Sequence, residues 1–442
     1  MELNKDRFIT LLTKFIAESK NLQNLPPKFV PREDLIALKV LDVLKPFTKE
    51  NGGVLNVQHI HLDKANYPER GHVIIEYPGT SKGTANPKTF SIVGSHMDVV
   101  PADETKWDPT TPPFKLTHKT GTDEYFGRGT TDCLGHVALV TDLFLELATH
   151  KPQLKQSVFA VFIVSEENTD IPNIGVDDLQ KAGYLDNLKH GPVIWLDSAD
   201  MFNTIATGGA LTWELTAFGK NMHSAMPNRT VNSLELVNEA CAEIQKRFYT
   251  DFPAHPKEKE YNFEISSTMK PTLWKEIQGS FNTIPGQATI CGDIRLSPFY
   301  EVSDLKAKVA SYVKDINENI TKLRSRGPYS KYDVPEYGVK GRIELVFHEE
   351  VDEGIACDLT SAGYKALVQA TTEAIGPYQP VSTLGTLPLV RNLQRQGMDI
   401  QITGFGVEDV YHADNEFLRL GDFVKGFQIL NRTIELVEKT IN

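Results

Sequence analysis

Cysteine is scarce in this chain of 442 residues: Cys133, Cys241, Cys291 and Cys357 are the only four. They stand far apart and form no CxxC pair, which excludes a disulfide framework and a thiolate zinc site. Long apolar runs are missing too. The longest, residues 158–164, has seven members, against about 20 for a membrane-spanning helix. A basic excess is also lacking: 46 Lys+Arg against 58 Asp+Glu leave a formal charge of -12, the wrong sign for a partner built on phosphate. Internal repeats and low-complexity segments are absent. The first twenty residues carry Glu2, Asp6 and Glu18, unlike a leader peptide. These absences predict a cytoplasmic protein with neither a nucleic-acid nor a membrane partner. The remaining composition, 40% hydrophobic and 24% charged, is that of a globular protein, and the length predicts two or three domains.

Apolar periodicity organises the chain. Phe8, Leu11, Leu12, Phe15 and Ile16 mark an amphipathic helix, and Pro26, Pro27 and Pro31 break the chain after it. A second helix is expected at 32–48, strands at 54–60 and 72–77, and a polar loop at 78–88. Short apolar runs follow at 90–93, 158–164 and 193–196, alternating with helices near 135–147 and 177–182. Such runs suit parallel strands covered on both faces, which predicts an α/β architecture. From Gly208 onward the order changes: strand 213–218, helix 233–248, strands 268–276 and 289–296, helix 303–320 and strand 342–348. That β-α-β-β-α-β order is the split ferredoxin-like unit. The α/β pattern then resumes with helix 361–375, strand 400–403 and helix 420–440. The expected domains are an α/β domain in two parts, 1–207 and 353–442, with an α+β domain inserted at 208–352.

Chemistry collects where strands end. The strand at 90–93 runs into Ser95-His96-Met97-Asp98, the one at 158–164 into Ser165-Glu166-Glu167-Asn168, and the one at 193–196 into Asp197. Strand 400–403 leads to His412-Ala-Asp-Asn-Glu416, and Gly127-Arg-Gly-Thr-Thr-Asp132 precedes a helix. Ligands of open α/β sheets bind outside the carboxyl ends of strands, so these clusters are candidates for one crevice. His96 and His412 with Asp132, Glu167 and Asp197 form a nitrogen and oxygen set for borderline divalent ions, zinc foremost. Five ligands exceed one tetrahedral site but fit two metals that share a carboxylate. Asp98, two residues beyond His96, is placed to accept the ring's second N–H. Glu166 precedes a ligand without needing to be one, which makes it the candidate general base. Singly, each has a plainer reading: a structural histidine, an Asp132 that caps a helix, a solvated Glu pair, an Asp in a turn. Only the combined spacing is specific. His136 is expected to pack behind the site, and His59, His61, His118, His150, His190 and His255 are read as surface or loop residues.

These motifs resemble those of the zinc-dependent amidohydrolases and exopeptidases that include aminoacylase, carnosinase-type dipeptidases and succinyl-diaminopimelate desuccinylase. Gly127-Arg-Gly-Thr-Thr-Asp-Cys-Leu-Gly-His136, Ser165-Glu-Glu-Asn168, Ser267-Thr-Met-Lys-Pro271, Gly385-Thr-Leu-Pro-Leu-Val-Arg391 and Tyr411-His-Ala-Asp-Asn-Glu416 carry the likeness. Within the group it is strongest to the eukaryotic, plant-type acetylornithine deacetylases. The resemblance implies a zinc-exopeptidase-like catalytic domain, and makes the insertion a dimerisation or lid domain of a homodimer. It implies one zinc on His96 and Asp197, a second on Glu167 and His412, and Asp132 as the bridge, with cobalt able to substitute. It also implies a cis peptide at Asp132–Cys133, Glu166 as base and His223 at the oxyanion, reaching across the dimer. Asn282, Arg295, Gly385, Thr386 and Arg391 would hold the substrate, a small N-acyl amino acid. The implied reaction is hydrolysis of N2-acetyl-L-ornithine to acetate and ornithine, in arginine biosynthesis. Two departures concern the substrate. Bacterial deacetylases and desuccinylases carry Glu where Asp197 stands, while the peptidases carry Asp, and Leu134 replaces a common lysine. An aminoacylase or dipeptidase is therefore the alternative, and an inactive binding homologue a minor one.

Overall fold

Residues 1–85, 87–197, 201–275 and 280–441 are described by the computed structural model, and the chain divides into two compact units. The first comprises Met1–Ile205, Cys357–Val381 and Pro388–Asn442, the second Ala206–Ala356 and Ser382–Leu387. Residues 382–387, which the sequence places with the last α/β segment, thus cluster with the second unit.

An eight-stranded sheet runs through the first unit, its order from one edge being 56–60, 72–77, 157–162, 89–93, 192–196, 399–403, 204–206 and 381–382. The four strands Ser157–Phe162, Thr89–Val93, Pro192–Leu196 and Asp399–Thr403 pair in parallel. Their neighbours Asn56–Ile60 and His72–Tyr77 pair antiparallel. Thr89–Val93 and Pro192–Leu196 are buried at every position, as suits strands covered on both faces. Helix Lys5–Ile16 begins at Asn4, whose side chain accepts from the Arg7 N–H, the usual N-cap bond. Its stripe of Phe8, Leu11, Leu12, Phe15 and Ile16 is buried, each side chain contributing about 1.5–3 kcal/mol of transfer free energy. Helix Leu134–His150 is buried on nearly all faces, packed by Lys5–Ile16 and by Leu420–Thr440. The helix expected at 32–48 is Asp34–Leu44, continued by a 3-10 turn at Lys45–Phe47. Pro46 has no N–H to donate and ends the α-helical ladder.

The second unit contains a four-stranded antiparallel sheet, order Thr268–Trp274, Gln287–Leu296, Gly209–Phe218, Arg342–Asp352. Its helices Ser233–Asp251 and Val302–Glu318 bury Leu236, Ile244, Phe248, Leu305, Val309 and Ile316 with Trp213, Leu215 and Ile294. Numbered along the chain, the strands lie 2-3-1-4, the arrangement of the split β-α-β unit. The expected strand end at Glu276 lies outside the described residues. No helix among the described residues is long and apolar enough to cross a membrane.

His72 opens an inner strand, fully buried, its Nε2 2.8 Å from the Ile174 carbonyl. Burial pushes its pKa down to about 4. The unfolded chain's histidine takes up its proton near 6.5, so between these values the unfolded state binds more protons. Stability is therefore expected to fall as pH drops from 6.5 toward 4, by about 3 kcal/mol for this residue. Melting curves across that range should show a smaller acid loss for His72→Gln than for the parent chain.

Candidate metal centre and active site

Four parallel strands of the first unit deliver the expected cluster from their carboxyl ends. Thr89–Val93 ends at Gly94, whose φ of +100° turns the chain toward His96 and Asp98. Pro192–Leu196 ends at Asp197, Ser157–Phe162 leads to Glu166 and Glu167, and Asp399–Thr403 leads to His412. Asp132 stands just before helix Leu134–His150, and its peptide bond to Cys133 is cis.

His96 Nε2 lies 2.8 Å from Asp132 Oδ1, 3.5 Å from Asp197 Oδ1 and 3.9 Å from Glu166 Oε2. His412 Nε2 lies 2.8 Å from Asp132 Oδ2 and 3.0 Å from Glu167 Oε2. Two groups able to hold a metal ion result: His96, Asp132 and Asp197, and Asp132, Glu167 and His412. Asp132 belongs to both, each of its oxygens facing a different imidazole. Asp197 Oδ2 is buried without a hydrogen-bond partner, which in a protein interior marks an atom that serves something besides packing. Asp132 Oδ2 is close to His412 Nε2 yet also lacks hydrogen-bond alignment, the relation of two atoms aimed at a third. The donors thus fit two divalent ions on a shared carboxylate.

Electrostatics tell the same story. Burial raises the Glu167 carboxyl to about 8, with the charge of Asp132 adding and the His412 hydrogen bond opposing. Burial and then the charge of Asp197 push Glu166 well above the usual carboxylate range. Burial opposes the charged form of His412, but Asp132 and Glu167 outweigh it and raise its pKa to about 10. Glu166 and Glu167 thus hold protons tightly, while, against burial, the His412 and His96 hydrogen bonds keep Asp132 well below the usual carboxylate range; divalent cations compete for the same lone pairs. Cys133 also lies in the first group, although the sequence counts no cysteine there. Burial and the nearby Asp197 push its thiol well up.

Asp98 lies beside the second nitrogen of the His96 ring: Nδ1 faces its main-chain oxygen at 2.9 Å and its carboxylate Oδ1 at 3.4 Å. That carboxylate also accepts the N–H groups of Glu166 and Glu167 at 3.2 and 3.0 Å and the Asn24 amide at 2.7 Å. It holds the turn that presents both glutamates. His136 packs between Phe405 and Phe423 and accepts the Phe405 N–H at 2.8 Å, behind the cluster as expected.

Three supports were not assigned from sequence. Buried Glu416 accepts Arg128 Nη1 at 2.8 Å and the N–H groups of Gly129, Thr131 and Asp132 at 2.9, 2.8 and 3.0 Å. It shapes the loop that carries Asp132. Gly129 takes φ +93° there, and a Cβ on it would stand 2.8 Å from Leu134. Buried Glu33 binds Arg70 through both oxygens, at 2.8 and 2.5 Å, and accepts the Ser165 N–H at 3.3 Å. Ser165 has φ +60°, a strained conformation for a non-glycine residue, one step before Glu166. Asn24 completes the set. Arg128 and Glu416 sit inside quoted motifs with opposite charges, a usable signal; Glu33, Arg70 and Asn24 offered none.

The remaining candidates belong mostly to the second unit. His223 is exposed on a ribbon, Met222–His223 paired with Thr283–Ile284, and Asn282 adjoins it through the Ser224 N–H at 2.9 Å. Arg295 pairs with Asp293 at 2.7 Å and reaches the Leu384 carbonyl at 3.5 Å, beside Gly385 and Thr386. Arg391 lies in the first unit on helix Val390–Arg395 and contacts Gln394.

The family model described as Peptidase family M20/M25/M40 matches residues 92–436. The chain is 62% identical over 442 residues to an acetylornithine deacetylase of Dictyostelium discoideum, covering 99% of this chain and 98% of that one. It is 47% identical over 438 residues to an acetylornithine deacetylase of Arabidopsis thaliana, covering 99% and 97%. Among solved structures, an M20 family metallo-carboxypeptidase from Sulfolobus solfataricus superposes with a TM-score of 0.67 at 16% identity, covering 98% of this chain and all of that one. A dinuclear metal binding peptidase of the same family from Bacillus subtilis gives 0.60 at 13% identity, covering 99% and 100%. At such identities the likeness is one of fold.

Proposed function

We infer the substrate from one premise: this chain belongs to peptidase family M20/M25/M40 and is a metal-dependent amidohydrolase. The inferred reaction adds water across the amide of N2-acetyl-L-ornithine, releasing acetate and L-ornithine, a step of arginine biosynthesis. The near full-length identity to two acetylornithine deacetylases carries this reading. In the proposal His96 and Asp197 hold one divalent ion, Glu167 and His412 the other, and Asp132 both. Such ions, zinc or cobalt, supply a water acidified toward neutral pH and a polarised amide carbonyl. Glu166 takes the proton from the attacking water and passes it to the departing amine. Asp98 holds the Glu166 and Glu167 backbone in place for that transfer. The proposal gives His223 the oxyanion, within a homodimer formed through the inserted domain 208–352. It gives Asn282 and Arg295 the substrate's carboxylate end, puts Gly385, Thr386 and Arg391 in a second substrate loop, and places the enzyme in the cytoplasm.

Asp197, the residue type found in the group's peptidases, favours a second reading as aminoacylase or dipeptidase. A panel of acetylornithine, acetyl-methionine and dipeptides, run with zinc and with cobalt, separates the two. The expected result is a kcat/KM for acetylornithine at least about 100-fold above the others, or roughly 2.7 kcal/mol of transition-state discrimination. Faster hydrolysis of a dipeptide or of acetyl-methionine overturns the assignment.

A further inference from the structure

A second cluster of metal-ligating side chains lies in the first unit, separate from the one above. Asp34 opens helix Asp34–Leu44, His59 lies on strand Asn56–Ile60, and His61 follows that strand. His59 Nε2 is 2.9 Å from Asp34 Oδ1, and His61 Nε2 is 2.7 Å from Asp34 Oδ2. The two rings are 4.4 Å apart, and one ligand atom from each of the three residues lies within 4.8 Å of the others. The sequence reads both histidines as surface or loop residues; their side chains are 18% and 10% exposed, and that of Asp34 is 13% exposed.

We propose that Asp34, His59 and His61 form a third metal site, one for zinc or a similar imidazole-seeking dication. Two imidazole nitrogens and one carboxylate oxygen are a common donor set for such ions, with bonds of about 2.0–2.2 Å. Donors of one tetrahedral ion stand roughly 3.3–3.6 Å apart at those bond lengths. The pairs at 2.7 and 2.9 Å therefore need to open by less than an ångström, and the partly exposed side leaves the fourth position to water. His59 and His61 both turn their Nε2 atoms onto the Asp34 carboxylate. The third donor is fixed in advance, because the Gly71 N–H holds Asp34 Oδ1 at 2.9 Å. Gly71 also makes the room: a Cβ there would lie 2.4 Å from His59 Nε2 and 2.9 Å from His61 Cε1. An ion at this point joins the start of a helix to the end of one strand. Next to Asp34 and to Gly71 stand Glu33 and Arg70, whose ion pair backs Ser165. The site thus braces the far side of the turn that presents Glu166, while sharing no donor with the catalytic cluster.

Equilibrium dialysis of the intact protein against zinc at pH 7.5, with metal counted per chain, tests this. The expected result is about one zinc more for the parent protein than for His59→Ala/His61→Ala, with kcat on the amide substrate within about two-fold. Zinc added to the metal-loaded enzyme should raise the parent's Tm and leave the variant's unchanged. Asp34→Asn, which keeps the side chain's shape and an acceptor for Gly71, should lose the same zinc and guards against misfolding of the double variant. Equal zinc content in the parent and Asp34→Asn overturns the proposal, whatever substrate the enzyme turns out to prefer.

Discussion

Glu166→Gln is expected to lower kcat by about 10²- to 10⁴-fold, the usual span for a lost general acid–base group, with metal content unchanged. Glu166 stands at the edge of both candidate metal groups and belongs to neither. Its carboxylate is 3.9 Å from His96 Nε2, close enough to meet a water held by the cluster. Its side chain is 13% exposed where the neighbouring Asp132, Glu167 and Asp197 show 2%. Burial, with the charge of Asp197 added, keeps its affinity for a proton far above that of a free carboxylate. A base so tuned can take a proton in one step and return it in the next. Glutamine keeps the shape and one acceptor but cannot carry the proton, so KM should change little. Glu167→Gln is the contrast: it should lose metal and activity together. Metal loss in Glu166→Gln would move that residue among the ligands, and near-normal turnover would remove it from the proton path.

How well the sequence can be read follows the range of the interaction that decides each feature. Helix Leu420–Thr440 and strand His72–Tyr77 are legible to the residue, because long periodic or uniformly apolar runs carry their own burial pattern. Strands Thr117–His118, Glu124–Phe126 and Phe417–Arg419 have two or three residues and no period. Phe417–Arg419 finds its partner Glu124–Phe126 only across about two thirds of the chain. The same divide runs through the site. His96, Asp132, Glu166, Glu167, Asp197 and His412 follow strands or open a helix, so strand topology alone brings them together. Glu33 with Arg70, and Asp34 with His59 and His61, are contacts between segments with no shared local pattern. Only the folded chain reveals them.

Glu416→Ala is expected to cost about 3–5 kcal/mol of stability, because it strands Arg128 in the interior. Arg128 and Glu416 side chains are 2% and 0% exposed, so water cannot replace the lost carboxylate. The N–H groups of Gly129, Thr131 and Asp132 lose their acceptor in the same step, each a further penalty of about 1–3 kcal/mol if it stays unmet. Calorimetry should place the first unit's melting roughly 5–15 °C lower. Turnover should fall as well, since Asp132 rides on the loop that Glu416 shapes. The control is Arg128→Met combined with Glu416→Leu. Removing both charges leaves no unpaired ion in the interior, so the double variant should lose less stability than Glu416→Ala alone. It should nonetheless stay nearly inactive, because apolar side chains cannot hold the three N–H groups that orient Asp132. A double variant less stable than Glu416→Ala would mean that the ion pair itself, rather than the orphaned arginine, supplies the stability.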